Sequence, residues 1–397
     1  MAHLTAKDAA AELGVTLQTL YAYVSRGLVR SEPAPGGKRR RQYNSTDIAE
    51  LKRRQERSRN PVGAVENALH WGTPVMESAI TLISDGRLYY RGADAVDLAF
   101  TAPLERVATR IWETDAAGAV NFDAGDTAHL PWELLTSIPP TDAFQVAIPL
   151  AAAKDLTAYS FDPKTAARVG ARIVGLFTTI AAGGRDVAGS AAATLGRAWS
   201  VDDGRSRKLL DAALILCADH ELNASAFTAR CVASTGATLY AAVNAGLSAL
   251  QGHKHGGSTE RVEALFTEVE AVDDPTRVLA SYLKRGDRVP GFGHTLYPEG
   301  DPRGRALIEG TRELQGDSVH VTRADDFVAT VAGAVGQRPN IDFALVLLRR
   351  ALSLPDGSAL TLFALGRTVG WIGHAIEQYA TDRLIRPRAR YVGVAPD

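Results

Sequence analysis

The sequence predicts a mainly α-helical protein, a small basic helix-turn-helix module followed by a larger, acidic helical body. Three observations carry this expectation. From Thr165 onward, long segments run without β-branched clusters or regular alternation, and Lys208–Gln251 is almost entirely good helix former with glycine at the bends. The first 60 residues hold twelve Lys and Arg against six Asp and Glu, a balance of +6 that leaves −7 on the rest of a chain whose net charge is −1. The body has one convincing strand pair, near Thr81–Arg91, where ITLIS and RLYYR flank the hairpin signal Asp85-Gly86. With 397 residues, 46% hydrophobic and 22% charged, the composition excludes a largely disordered chain.

The basic module reads element by element. Thr5 caps a short helix over Ala6–Leu13 that Gly14 ends, and Thr16 caps a second over Leu17–Arg26 that Gly27 ends. Gly36-Gly37 turn the chain inside Arg30–Tyr43, with Lys38–Arg41 on one side, as in a β-hairpin wing that carries phosphate-binding charge. Asn44–Asp47 offers caps for a third helix over Ile48–Arg57, and Arg57–Pro61 reads as the run into a linker. AAELGVTLQTLYAYVSRGL has the hydrophobic spacing and second-helix Tyr of MerR-like and excisionase-like helix-turn-helix proteins, which the segment resembles. That resemblance implies duplex DNA as a partner through residues 1–60.

In the body, Phe327–Val335, Asp342–Leu352 and Ala359–Arg383 read as helices. The apolar stretch Ala359–Ile376 contains Arg367 and His374, which marks a buried helix and not a membrane span. Two cysteines, Cys217 and Cys231, are too few for a disulfide framework or a Cys-rich zinc site and suit a reducing cytoplasm. No signal segment opens this polar N-terminus.

Four segments place polar residues where the pattern is otherwise apolar or glycine-rich. Asp219-His220-Glu221 follow the apolar Ala213–Ala218 with no break in the helix pattern. Gln251–Gly257, containing His253 and His255, ends an apolar helix. Val289–His294 is a glycine-rich loop presenting one imidazole, followed by Asp301-Pro302-Arg303. Pro339–Phe343 starts a helix with Asp342 in its first turn. None of these histidines has metal-ligand spacing with carboxylates. Arg367 lies in LTLFALGRTVGWIG, where an unpaired guanidinium is costly, so a substrate carboxylate or a protein acid must meet it.

Taken together, ALILCADHELNASAFTARCVAST, ALQGHKHGGSTERV, VPGFGHTLYPEGDPR, NIDFAL and GRTVGWIGHAIEQYATDRLIRPRARY resemble the citrate synthase family, in the family's order and spacing, over roughly residues 213–393. LISDGRLYYRGADAVDLA resembles the family's N-terminal strand motif, whereas residues 100–165 match poorly. The resemblance implies a large helical domain over 61–256 and 353–397, a small one over 257–352, and a cleft between them that closes on substrate. It implies an acyltransferase that condenses acetyl-CoA with oxaloacetate to citrate, acetyl-CoA being a substrate and no resident cofactor being needed. Asp342 is then the base that takes the thioester methyl proton. His255 donates to the enolate oxygen, and His294 to the oxaloacetate carbonyl. His220, Arg303, Arg367 and Arg386 are the expected oxaloacetate ligands, with Arg386 reaching from the second subunit of a homodimer. Relatives that use propionyl-CoA make 2-methylcitrate, and a DNA-binding metabolite sensor on the same body is the other reading. His253, Lys254, Thr295 and Pro298 depart from the family pattern beside the expected CoA path, while Tyr297 is kept.

Overall fold

The computed structural model describes residues 3–26, 28–33, 41–44, 47–48, 51, 76–114, 120–184, 189–389 and 391–394. The chain divides into two compact units, Met1–Glu77 and Ser78–Asp397. The expected domain boundary near residue 60 falls outside the described residues, as do Gly27, Gly36–Arg40 and most of the expected third helix.

In the first unit, β1 (His3–Thr5) leads into α1 (Ala6–Leu13) and α2 (Leu17–Ser25), followed by β2 (Ser31–Pro33) and β3 (Arg41–Asn44). Thr5 accepts from the Asp8 amide and Thr16 from that of Thr19, so both helices start at hydroxyl caps. β3 is the middle strand of an antiparallel sheet, with β1 and β2 on either side. The strand β1 is too short to carry an alternation, and its pairing with β3 makes it. Ala9, Leu13, Leu20, Val29, Tyr43, Ile48 and Leu51 form one small core. Arg30 locks the start of the third helical segment by donating from its backbone and guanidinium to the Asp47 carboxylate at 2.7–3.0 Å.

The second unit opens with β4 (Thr81–Ser84), β5 (Arg87–Tyr90) and the short β6 (Ala93–Asp94). Asp85 (φ 52°) and Gly86 (φ 72°) both take the left-handed region that a two-residue hairpin turn needs. Helices follow: α3 (Ala95–Thr101), α4 (Leu104–Ile111), α5 (Trp132–Leu135), α6 (Pro140–Ala152), α7 (Pro163–Ala181) and α8 (Ala191–Ala198). Next come α9 (Gly204–Cys217), α10 (Ala224–Ala233), α11 (Leu239–Leu250), α12 (Ser258–Glu270), α13 (Pro275–Arg285) and α14 (Pro302–Gln315). The last are α15 (Val319–Val335), α16 (Ile341–Ala351) and α17 (Ser358–Thr381).

α17 is the axis of this unit, packed by α7, α9, α10 and α11. By length and apolarity it could cross a membrane, but 89% of its most apolar window is buried inside the protein. Its approach to α9 depends on Gly366 and Gly370. A Cβ at Gly366 would collide with the carbonyl oxygen of Leu214, and one at Gly370 with that of Ala218.

One expectation is overturned here. The helix pattern expected through Asp219, His220 and Glu221 stops at Cys217, and Glu221 takes φ 53°. α17 meets the chain at that point. The Cys217 carbonyl accepts from Arg367 Nε at 2.7 Å, outside the helical ladder. The Tyr90 hydroxyl sits 2.9 Å from Ile215 O and 3.1 Å from Asp219 O. The break turns Asp219 and His220 inward, and both are buried.

Candidate active site

Each expected residue is held by a different local device. Asn223, whose Oδ1 accepts from the Ser225 and Ala226 amides, starts α10 straight after the turn that carries His220. The loop Val289–His294 uses positive φ at Gly291 (78°) and Gly293 (75°), a conformation that side chains with a Cβ avoid. Its backbone is then zipped to the segment before α16. Gly293 N donates to Arg338 O at 2.8 Å, and Asn340 N to Gly291 O at 2.9 Å. Asn340 also caps α16, its Oδ1 accepting from the Asp342 amide at 3.0 Å. One short bridge therefore sets His294 and Asp342 in register.

Asp342 stands in the first turn of α16, where the helix dipole favours an anion. Burial dominates instead and pushes its carboxyl up to about 7. The charges of Arg303 and Arg367 and a hydrogen bond from Ser258 pull the other way. Its Oδ1 is sealed from solvent and has no hydrogen-bond partner among the described residues. A carboxylate oxygen that has lost hydration with no hydrogen bond in its place is a stronger proton acceptor than one in water.

The imidazoles are neutral. Burial lowers His255 and His294 to about 4, with the charge of Arg367 adding to the first and that of Arg303 to the second. Burial and the Arg303 charge hold His220 well below the usual histidine range. The His294 tautomer follows from its contacts: the Leu296 amide donates to Nδ1 at 3.1 Å, so the proton is on Nε2. His220 sits edge-on to His294, ring centres 5.1 Å apart, with its Nε2 3.0 Å from the buried Tyr297 hydroxyl. His255 Nε2 lies 2.8 Å from Ser225 Oγ. That oxygen also accepts from Trp371 Nε1, so its single proton goes either to His255 or to Asn223 Oδ1 at 2.7 Å.

The arginines differ from one another. Arg303 is buried and already paired, its Nε and Nη2 donating to the two Asp301 oxygens at 3.0 and 2.8 Å. Asp301 Oδ2 accepts as well from the Ile341 amide, so this pair also braces the start of α16. Arg367 is buried, its Nη1 has no partner among the described residues, and its guanidinium stands 4.9 Å from the Phe363 ring centre. Its only hydrogen bond among the described residues goes to the Cys217 carbonyl. Arg386 is exposed on the extended segment after α17, with no hydrogen bond or ion pair to this cluster among the described residues. The structure thus brings together His220, His255, His294, Arg303, Asp342 and Arg367 of one chain, and leaves Arg386 outside. His253 and Lys254 are exposed.

The chemistry of this cluster is specific: two neutral donors, one orphaned base and one guanidinium whose Nη1 has no partner among the described residues. The family model "Citrate synthase, C-terminal domain" matches residues 68–388. The chain belongs to the citrate synthase family. The model "MerR HTH family regulatory protein" matches residues 4–56 ahead of it. This citrate synthase-family chain is 30% identical over 354 residues to "Citrate synthase 2" of Bacillus subtilis, covering 81% of this chain and 94% of that one. It is 35% identical over 192 residues to a 2-methylcitrate synthase of Shewanella oneidensis, spanning about half the length of each (48% and 51%). Among solved structures, the citrate synthase of Thermotoga maritima aligns over 82% of this chain and 95% of its own, with TM-score 0.69 and 26% identity.

Motif spacing assigns no role to several residues of this cluster: Ser225, Tyr297, Asp301, Trp371 and, behind them, Asp219 and His374. A periodicity signal was present for the last. Arg367, Gly370, Trp371 and His374 recur at helical spacing on α17, which puts them on one stripe.

Proposed function

We propose that this chain condenses acetyl-CoA with oxaloacetate to citrate and free CoA, as an acyltransferase of its family. The observation that carries the reading is the sealed, unpartnered Asp342 Oδ1 in a site with two neutral imidazoles and a free Arg367 Nη1. A thioester methyl is a weak acid, and a base whose pKa is near 7 is matched to removing its proton at neutral pH. With the Ser225 proton directed at His255 Nε2, His255 carries its own proton on Nδ1 and donates it to the enolate oxygen. His294 donates from Nε2 to the ketone oxygen of oxaloacetate, which makes that carbon electrophilic. The enolate carbon attacks it, and hydrolysis of the citryl thioester releases CoA.

Arg367 takes one carboxylate of oxaloacetate, His220 orients the substrate, and Arg303 contributes its charge from its pairing with Asp301. In this reading Arg386 of a second copy completes the site, so the working unit is a homodimer. Residues 257–352 form the smaller domain that closes over the cleft. The free thiols Cys217 and Cys231 suit the cytoplasmic location that belongs to the same reading. The test is purified full-length protein with oxaloacetate and either acetyl-CoA or propionyl-CoA, following free thiol. Release is expected with acetyl-CoA. Release with propionyl-CoA alone would make the product 2-methylcitrate, and release with neither would reject the enzyme reading.

The basic first unit favours a second role, duplex DNA binding. Tyr21 and Leu17 of α2 are exposed, and the flanking strand β3 begins with Arg41. Full-length protein is expected to bind duplex DNA with an affinity that falls steeply as salt rises. A chain starting near residue 78 is expected to lose that binding. Equal binding by both proteins would reject the role.

A further inference from the structure

Behind the candidate site lies a buried polar chain that the reaction above does not use. Asp219 and His374 are both fully buried. Asp219 Oδ2 accepts from Thr81 Oγ1 at 2.5 Å, and Asp219 Oδ1 is 3.2 Å from His374 Nε2. On the other side of the ring, Arg230 Nη1 stands 3.3 Å from His374 Nδ1. A guanidinium only donates, so Nδ1 is the acceptor and the His374 proton is on Nε2, directed at Asp219. Arg230 is in turn held by Glu377 at 2.8 Å and Gln378 at 3.1 Å. Every member therefore has a partner, and the chain runs from the first strand of the body to the end of α17.

Two features tie this chain to the substrate side. Asp219 precedes His220 in the turn that α17 breaks out of α9, and the near-collision at Gly370 shows how closely that turn is pressed to α17. Asp219 is also an anion whose charge acts on Arg367 without a direct bond. A salt bridge between them would occupy the guanidinium. A hydrogen-bonded anion nearby offsets part of its desolvation while leaving Nη1 unpartnered.

We propose that Asp219 and His374 are positioning residues for the oxaloacetate carboxylate: they fix the 218–221 turn against α17 and hold Arg367 charged, buried and open to substrate. This rests on the condensation reading above. The expected result for Asp219→Asn in the full-length protein is a rise of about tenfold or more in KM for oxaloacetate, with KM for acyl-CoA within about twofold. The stabilisation of the folded protein by added oxaloacetate is expected to shrink in parallel. His374→Phe is expected to do the same. His374→Gln, which keeps a donor towards Asp219, is expected to recover most of the effect. In an Arg367→Met background, Asp219→Asn is expected to add little, because the two act on one carboxylate.

If Asp219→Asn and His374→Phe fail to fold, Thr81→Val decides. It removes one bond to Asp219 at nearly constant volume, and a rise of a few-fold in KM for oxaloacetate is expected. Folded variants whose KM for oxaloacetate is unchanged, or whose two KM values rise together, overturn the inference. A wild-type chain that neither turns over nor is stabilised by oxaloacetate overturns the condensation reading itself.

Discussion

Asp342→Asn is expected to lower the rate of CoA release by about 10³-fold, in the range a positioned base supplies, while oxaloacetate still binds. The amide keeps the shape of the carboxyl group and removes its basicity, and the lost group acts on the thioester methyl, not on the keto acid. In the wild-type protein, kcat/KM is expected to fall as pH drops through about 7, because Asp342 must be ionised to accept a proton. Stability gives an independent readout of opposite sense. The folded protein holds the Asp342 proton more tightly than the unfolded chain does. The stability this confers is full below the usual carboxylate range and is lost as pH rises through about 7. Asp342→Asn should therefore melt higher than wild type at pH 8, with the difference closing towards pH 4. A folded Asp342→Asn protein with wild-type turnover would remove Asp342 from the mechanism.

Arg367→Met is expected to raise KM for oxaloacetate by about 10²-fold or more, the cost of breaking a buried charge pair at about 3–5 kcal/mol. Without ligand, the variant should be about as stable as wild type, the lost Nε bond to the Cys217 carbonyl being offset by the desolvation cost that goes with the guanidinium. The wild-type guanidinium is buried with Nη1 unpartnered, and an apolar chain of similar length removes that desolvation cost. Loss of binding without loss of fold separates a substrate ligand from a structural arginine. In the proposed homodimer, subunit exchange then separates Arg367 from Arg386. Subunits carrying Asp342→Ala, exchanged with subunits carrying Arg386→Ala, should regain activity, since one hybrid site receives both defects and the other neither. Exchange with Arg367→Ala subunits should restore nothing, because Arg367 and Asp342 belong to the same chain's site. Rescue by Arg367→Ala, or none by Arg386→Ala despite proven exchange, would reject a shared site.

The local features of this protein are legible in its sequence because their causes lie within one turn of chain. Thr5 and Thr16 cap their helices, Asp85-Gly86 turns its hairpin, and the order of the histidine, arginine and aspartate motifs identifies the family. Tertiary contact decided the rest. The end of α9 at Cys217 follows from Gly366 and Gly370 letting α17 press against it, 150 residues away in sequence. The tautomer of His294 rests on one amide, and that of His374 on a guanidinium from another helix. Arg303 and Arg367 look alike as buried arginines near the same motifs, yet Asp301 occupies the first and Nη1 of the second stays free. Side-chain pairing depends on which backbones approach and which donors are already taken. Spacing along the chain carries the residue types of a site, and only the packed structure determines their charge and their partners.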